Sequence, residues 1–382
     1  MNILDRVSEL FTKVQPLPAG THHLQAAADR DKPYRIHLRL LHDGSGILIV
    51  NASTVLHLNP SAAECAYHFV KGTEPEEAAK QIAARYRVSK DAARRDFDDF
   101  TERVKTLVET PDLDPVSYLG FERVAPHSAN LTTPLRLDCA VTYKLPAGSK
   151  ANYAPAKRVK RELTTAEWQS ILDKAWRAGI PHVTFTGGEA TLREDLPQLI
   201  ARAESNGQVC GLLTDGMKLA DKKYLKTLLQ TGLDHILFIL QPEEKKSWKA
   251  LETVLAEDIF VTVHLTLNRN NAAKLGSILE RLAKAEVKSL SVTMAKKFSP
   301  EKAKAIHDQA AALGITLRAD LPVPYSAENP VAVETRADQI PDGAGNAWMY
   351  VEPDGDVLPA QGMADRALGN LLTDEWSALR PA

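Results

Sequence analysis

Cysteine is scarce in this chain. Cys65, Cys139 and Cys210 are the only three in 382 residues, far apart and without a CxxC spacing, which excludes a disulfide framework and a cysteine-built structural zinc site. Neither sign of charge prevails: 47 Lys plus Arg stand against 49 Asp plus Glu, a net charge of -2. The chain therefore has no global drive toward nucleic acid or an anionic membrane, and any basic patch must be local. No apolar run approaches membrane-spanning length. The opening "MNILDRVSELFTKVQPL" has no basic n-region followed by an apolar h-region and no cleavage signal, so a cytoplasmic location and no membrane partner are expected. What is present, 44% hydrophobic and 25% charged side chains, is core material for two or three globular domains.

Residues 1–33 read as a short amphipathic helix over 3–13 and a connector. From Tyr34 the pattern alternates, and "YRIHLRLLHDGSGILIVNASTVLHLN" predicts two or three strands around a glycine-bearing turn. Three helical stretches follow, with Pro60 near the first start, Gly72 past its end and Ser89 placed as the N-cap of the third. Strands then helices over residues 34–110 give the layout of a small winged-helix-like domain. Residues 111–134 hold four prolines and little periodicity and read as a linker. Over 135–330 strands alternate with helices at 164–179, 194–206, 221–232, 243–256, 271–285 and 299–313, which implies a parallel sheet covered by helices. About six such units favour an α/β, partial (β/α)6 TIM-like barrel over an open doubly wound sheet. Ligands of such folds sit at the carboxyl ends of the strands, where 143–152, 187–189 and 214–216 fall. Residues 331–382 contain a "PDGD" turn between two strands, a β-hairpin extension.

Two stretches carry the chemical interest. "HVTFTGGEATLRED" ends a strand in Gly187 and Gly188, which permit close backbone approach, and in Glu189, a carboxylate suited to an ammonium; a tight strand-to-helix turn is the plainer reading. The loop after "LRLDCAVTY" holds six basic residues, Lys144, Lys150, Lys157, Arg158, Lys160 and Arg161, and no acid between the first and the last. It is either a solvated loop or a contact surface for an acidic peptide or a phosphate. Cys139 alternates in phase with Leu137 and Val141, as a buried strand cysteine does. His182 and His264 read as structural.

Together these stretches resemble the radical SAM family, which holds a four-iron four-sulfur cluster on Thr-x-x-Cys-x-x-x-Cys-x-x-Cys-Tyr. Laid on Thr142 and Tyr153, the three ligand positions fall on Leu145, Ser149 and Asn152. Cluster ligands are thiolates or occasionally histidine, so the resemblance comes with an expectation of no iron–sulfur cluster and no resident metal. The GGE stretch resembles the Gly-Gly-Glu-Pro segment that binds the amino group of S-adenosylmethionine (SAM), with Ala190 in place of proline. "LLTDGMKL" resembles the family's Thr-Asn-Gly, with Asp215 for asparagine, and Ile239, Leu240 and Gln241 replace a Ser-x-Asp. Gly187, Gly188, Glu189 and Asp215 are thus a residual SAM-type pocket. The tail resembles a SPASM extension in which two auxiliary cysteine positions are Asp342 and Ala360. "LNPSAAECAYHFVKGTEPEEAAKQIAARYRV" resembles the PqqD-like element that binds leader peptides of ribosomally made, modified peptides by strand addition.

The resemblance implies a radical SAM-like pseudoenzyme that needs no cofactor, has no catalytic residue of its own, binds a precursor peptide through residues 34–110, and serves as scaffold or partner of an active maturation enzyme. A second reading keeps an enzyme that uses SAM or another small molecule in the barrel. A third, a DNA-binding regulator, is disfavoured because "SKDAARRDFDDFTERVK" interleaves acids with bases.

Overall fold

The computed structural model describes residues 16–26, 34–51, 54–110, 131, 133–148, 154–268, 270–294, 300–318 and 343–379. The helix expected at 3–13, nearly all of the linker, and Ser149, Asn152 and Asp342 lie outside them. The chain divides into two compact units, residues 1–129 and 130–382.

In the first unit, strands β1 (Gly20–Gln25), β2 (Arg35–Leu40), β3 (Gly46–Val50) and β4 (Thr54–Leu58) form one antiparallel sheet in the order β1-β2-β3-β4. Helices α1 (Pro60–Val70), α2 (Pro75–Tyr86) and α3 (Lys90–Glu109) follow. The alternation in β2 sends Ile36, Leu38 and Leu40 to one face, where with Leu48 and Leu56 they join Ala66, Ile82, Phe97 and Val104 of the helices in one core. Asn59 caps α1 by accepting from the Ala62 N–H, and Ser89 caps α3 by accepting from the Ala92 N–H. The connector expected before Tyr34 instead contains β1. Its sequence, GTHHLQ, shows no apolar alternation, and its strand geometry comes from pairing with β2 across the whole length of both.

The second unit is built on β5 (Arg136–Thr142), β6 (His182–Gly187), β7 (Val209–Thr214), β8 (His235–Ile239), β9 (Phe260–Leu267), β10 (Ser289–Met294) and β11 (Thr316–Arg318), parallel and in sequential order. Between them run α4 (Thr165–Arg177), α5 (Leu196–Asn206), α6 (Lys222–Gln230), α7 (Lys245–Leu255), α8 (Leu275–Lys284) and α9 (Pro300–Ala312). A Thr164–Glu167 capping box starts α4, and Gly207 at φ 89 ends α5. This is the partial TIM-like barrel expected from the alternation. The tail strand β12 (Trp348–Val351) pairs parallel with the free side of β5, and β13 (Asp356–Leu358) and β14 (Gly369–Asn370) extend the same sheet to ten strands. The hairpin expected in the tail, β12 and β13, is therefore present and continuous with the barrel sheet.

The two faces of this sheet differ in chemistry. Leu137, Cys139, Val141, Val183, Phe185, Cys210, Leu212, Val263 and Leu290 pack against the helices in the main core. Cys139 is thus a buried strand cysteine, and burial holds its thiol in the neutral form. Many of the alternate residues are polar: Asp138, Thr184, Thr186, Thr262, His264, Thr266, Ser289 and Ser291 are all buried, while β7 and β8 place Leu213, Leu237 and Ile239 at the corresponding positions. A parallel sheet covered on both sides by apolar layers would show aliphatic residues at both sets of positions. The hydroxyls pair across strands, Thr262 Oγ1 with Ser289 Oγ at 2.9 Å and the His264 Nδ1 with Ser291 Oγ at 3.1 Å.

At the amino ends of the strands His182 and His235 bridge over β7, Nε2 to Nε2 at 2.8 Å. The strand between them carries Gly211, where a Cβ would collide with the His235 imidazole. Glycine here makes room for the bridge. Desolvation, then Arg136, lowers the His235 pKa to about 4, and desolvation, then His235 and Arg136, lowers that of His182 well below the ordinary value. Since both folded values lie below the free value of about 6.5, the stability from the neutral pair is present above about pH 6.5 and is lost as pH falls toward 4. The melting temperature should drop over that window, and less steeply in a His182→Gln, His235→Gln double variant. Gly211→Ala should cost about 1–3 kcal/mol in denaturant unfolding, and much less in a His235→Ala background.

Candidate functional site

The carboxyl ends of β5, β6 and β7 meet in a small set of close contacts. Past β6 the chain turns through Gly187 and Gly188 into a 3-10 turn at Ala190–Leu192. Gly187 has φ 134, and a Cβ there would run into the Thr142 carbonyl; a Cβ on Gly188 would meet the Lys144 carbonyl and the Leu145 side chain. The two glycines accommodate the chain's own β5 loop. Gly188 N–H donates to Thr142 O at 2.8 Å, and Glu189 N–H to Lys144 O at 2.9 Å.

Glu189 is buried, and its carboxylate is heavily engaged. Oε1 accepts from Thr191 N–H at 2.9 Å, Thr191 Oγ1 at 2.6 Å and Thr214 Oγ1 at 2.8 Å, while Oε2 accepts from Asp215 N–H at 2.8 Å. Four donors nearly fill the capacity of a carboxylate. The group expected to meet a ligand ammonium thus ties the tip of β6 to the tip of β7. Asp215 differs: it is 8% exposed, and its Oδ1 accepts from the Met217 N–H at 2.9 Å. Burial and then the Glu189 carboxylate push its pKa well above the usual carboxylate range. Lys218 Nζ is 2.7 Å from Thr191 O and lies over the Tyr224 ring at 4.3 Å.

The basic loop is less free than its composition implies. Arg158 pairs with Glu352 and lies 3.7 Å from Asp356, both in the tail, and Arg161 forms two hydrogen bonds with Glu167 of α4, at 2.8 and 3.0 Å. Tyr143 Oη donates to Glu352 Oε1 at 2.9 Å. Glu162, one residue beyond the basic stretch, accepts from Thr142 Oγ1 at 2.7 Å and Tyr143 N–H at 2.8 Å. Lys144, Lys157 and Lys160 are exposed. Sequence reasoning missed Glu162, Thr191 and Glu352, for which no local pattern exists, and placed Thr214 at the ligand end without its bond to Glu189. Leu145 is half-buried against the patch formed by Tyr143, Tyr350 and Leu358. It carries no donor atom and is no metal ligand; Ala360, buried in the tail, is none either.

A partial barrel of parallel strand–helix units with a Gly-Gly-Glu turn after its second strand is the frame of the radical SAM fold. Residues 139–242, within the second unit, match the family model described as the Radical SAM superfamily. The chain is 28% identical over 168 residues to a PqqA peptide cyclase of Granulibacter bethesdensis, which is 40% of this chain and 45% of that one; the match thus spans less than half of that relative. Among solved structures, that of Streptococcus suis SuiB has a TM-score of 0.57 at 14% identity, covering 89% of this chain and 86% of that one. SuiB bound to the precursor peptide SuiA gives a TM-score of 0.58, and SuiB bound to S-adenosylmethionine 0.56, at the same identity.

These matches correct one expectation. The chain was expected to need no cofactor and to lack a four-iron four-sulfur cluster; the family match and the SAM-bound neighbour of the same fold point instead to SAM and, typically for the family, an iron–sulfur cluster. Asp215 fits a cationic ligand, because its carboxyl group lies buried beside that of Glu189 and a cation would offset their repulsion. Among the described residues of the β5 loop, Leu145 fits no cluster, and the other two positions of that motif, Ser149 and Asn152, lie outside them.

Gly187→Ala should destabilise the second unit by about 3 kcal/mol or more, since the backbone conformation and the Thr142 carbonyl both exclude a Cβ. Urea unfolding followed by tryptophan fluorescence measures it.

Proposed function

We propose that this chain works in the maturation of a ribosomally made peptide, and that residues 34–110 bind the leader of the precursor. The observation that carries this reading is the antiparallel sheet whose outer strand β4 pairs on one side only, with β3, among the described residues, beside three helices, in a stretch that resembles PqqD-like elements. An extended peptide adds to such an edge through main-chain hydrogen bonds, with adjacent apolar pockets giving specificity. The PqqA peptide cyclase relative and the SuiB complex with its precursor peptide support a peptide as the substrate class.

Within that role the chain acts as a scaffold that holds the precursor for a partner maturation enzyme in the cytoplasm. The tying of Glu189 by protein donors and the hydrocarbon side chains at Leu145 and Ala360 support a barrel without catalytic side chains of its own. A specific observation favours the second reading, an enzyme that uses SAM: the Asp215 and Glu189 carboxyl groups lie together at the ligand end of the barrel, where a cationic ligand would offset their repulsion. When bound, SAM would supply a cationic sulfonium and an amino acid group there, and Gly187, Gly188, Glu189 and Asp215 form the wall that would hold it. DNA binding is not supported by α3, where Arg94 pairs with Asp98 and Glu76.

Titration calorimetry of the full chain with the small peptide encoded beside it should give micromolar or tighter binding. Neighbouring residues of β4 direct their N–H groups to opposite sides, so of Val55→Pro and Leu56→Pro one removes a bond to β3 and the other an outward N–H. The variant that keeps the wild-type melting temperature should lose peptide binding about tenfold or more. Full affinity in that variant would contradict the edge-strand mode.

A further inference from the structure

Two successive helices of the barrel open on the same pattern. α6 begins "KKYLK", with Lys222, Lys223 and Lys226, and α7 begins "KKSWK", with Lys245, Lys246 and Lys249. The first, second and fifth positions of a helix share one face. Leu225, Leu228, Trp248 and Leu251 point away from it into the main core, and all six lysines are exposed. The 3-10 turn Met217–Ala220 that leads into α6 packs against α7, and the preceding strands β7 and β8 are neighbours in the sheet. The two lysine faces therefore lie side by side, at the rim where the strands end.

The protein's own carboxylates do not neutralise this surface. None of the six lysines forms an ion pair among the described residues. Asp221 is spent on the start of α6, where its Oδ1 accepts from the Lys223 N–H at 2.9 Å, and Glu243 pairs with Lys274 at 3.0 Å. Glu244 and Glu252 are exposed beside α7 and leave the lysines in excess. The placement also works against the helices. Cations in a first turn oppose the helix dipole, and Lys222 with Lys226, like Lys245 with Lys249, is a like-charge pair one turn apart. By contrast α2, α3 and α4 carry Glu76 and Glu77, Asp91, and Glu167 in their first turns, where α6 and α7 carry no acid. Charges that break a local rule twice in the same way mark a site of function rather than of folding.

We infer that this lysine surface is a docking site for a protein that presents clustered carboxylates. The inference goes beyond the peptide role of residues 34–110 and does not depend on it. The chemistry selects a protein over other polyanions. Phosphates and bases are gripped best by the planar fork of arginine, and α6 and α7 hold six lysines and no arginine. Stacking on bases needs an open aromatic ring, whereas Trp248 is buried and the Tyr224 ring is covered by Lys218 at 4.3 Å. Membrane docking needs apolar side chains to insert beside the charges, and the large exposed hydrophobics among the described residues, Val88 and Phe260, lie on neither helix. Lysine heads are hydrated point charges on flexible stems. They suit a fast, salt-sensitive encounter with carboxylates.

The test uses the full chain and two triple variants of equal charge. Lys222→Glu, Lys226→Glu, Lys249→Glu alters the surface, and Lys284→Glu, Lys288→Glu, Lys304→Glu alters exposed lysines elsewhere in the second unit. Fluorescence anisotropy with labelled poly-L-glutamate at about 20 mM NaCl should show binding that weakens about tenfold or more at about 150 mM. The surface variant should bind about tenfold or more weakly than the wild type, and the control variant within about twofold of it. The surface variant should melt no lower than the wild type, because glutamate in a first turn suits the helix dipole. Equal weakening in both variants would assign binding to net charge and overturn the inference, as would no binding of poly-L-glutamate at about 20 mM NaCl. A surface variant that melts well below the wild type would make the lysines part of the fold and overturn it too. A DNA duplex or phosphatidylserine vesicles that bind more tightly than poly-L-glutamate, and lose binding in the surface variant, would give the surface to nucleic acid or membrane instead.

Discussion

The carboxylate of Glu189 is the joint on which the ligand end of the barrel depends. Parallel strands hold each other through their ladders, but at their carboxyl tips the ladders end and the backbone must find other partners. Glu189 supplies them for two tips at once, accepting from Thr191 beyond β6 and from Thr214 and Asp215 at the end of β7. The same turn reaches back to β5 through the Gly188 and Glu189 N–H groups. Three strands are thereby held in register by one buried side chain and two glycines. The cost of burying that charge is offset by charge-assisted hydrogen bonds, each stronger than a neutral one.

The tail plays a comparable part on the other side of β5. β12 lengthens the sheet there, and Glu352, just past its end, gathers Tyr143 and Arg158 from the β5 loop. The loop is thus anchored at its start by Glu162 and along its length by the tail, and Leu145 adds apolar contact to the Tyr143 and Tyr350 patch. Basic residues that composition alone would leave to solvent are drawn into internal ion pairs at Arg158 and Arg161. Arg158 and Arg161 remain exposed within those pairs, as do Lys144, Lys157 and Lys160, so pairing rather than burial reduces the positive surface that the composition implies.

Much of the fold was legible because it rests on local rules. The alternation of Leu137, Cys139 and Val141, the Ser89 cap and the strand–helix repeat each depend on neighbours a few residues away. β1 was not legible, because its two histidines hide the alternation and its partner β2 supplies the order. Nor was β12 beside β5, since no local pattern specifies which edge a distant strand will choose. At the site, the GGE motif was visible but its use was not. The glycines read as room for a ligand, and in the structure that room is filled by the Thr142 and Lys144 carbonyls. Glu189 read as a ligand group, and the hydroxyls that occupy it come from two other segments. The expectation of a chain without a cofactor failed for a related reason: it weighed missing side chains at five positions, whereas the family match draws on residues 139–242 and the fold match on 89% of the chain.

The most direct measurement of the central claim, that Glu189 spends its carboxylate on the protein, is hydrogen exchange of the segments that span 187–193 and 209–217 in the wild type and in Glu189→Gln. The side-chain amide of glutamine would bring a donor to at least one of the positions where Thr191 and Asp215 now donate. Exchange at one or both of the Thr191 and Asp215 amides should rise by about tenfold or more in the variant, while the β9 and β10 segments stay protected. Unchanged protection at both amides would show that the tips of β6 and β7 do not depend on Glu189 and would contradict the account.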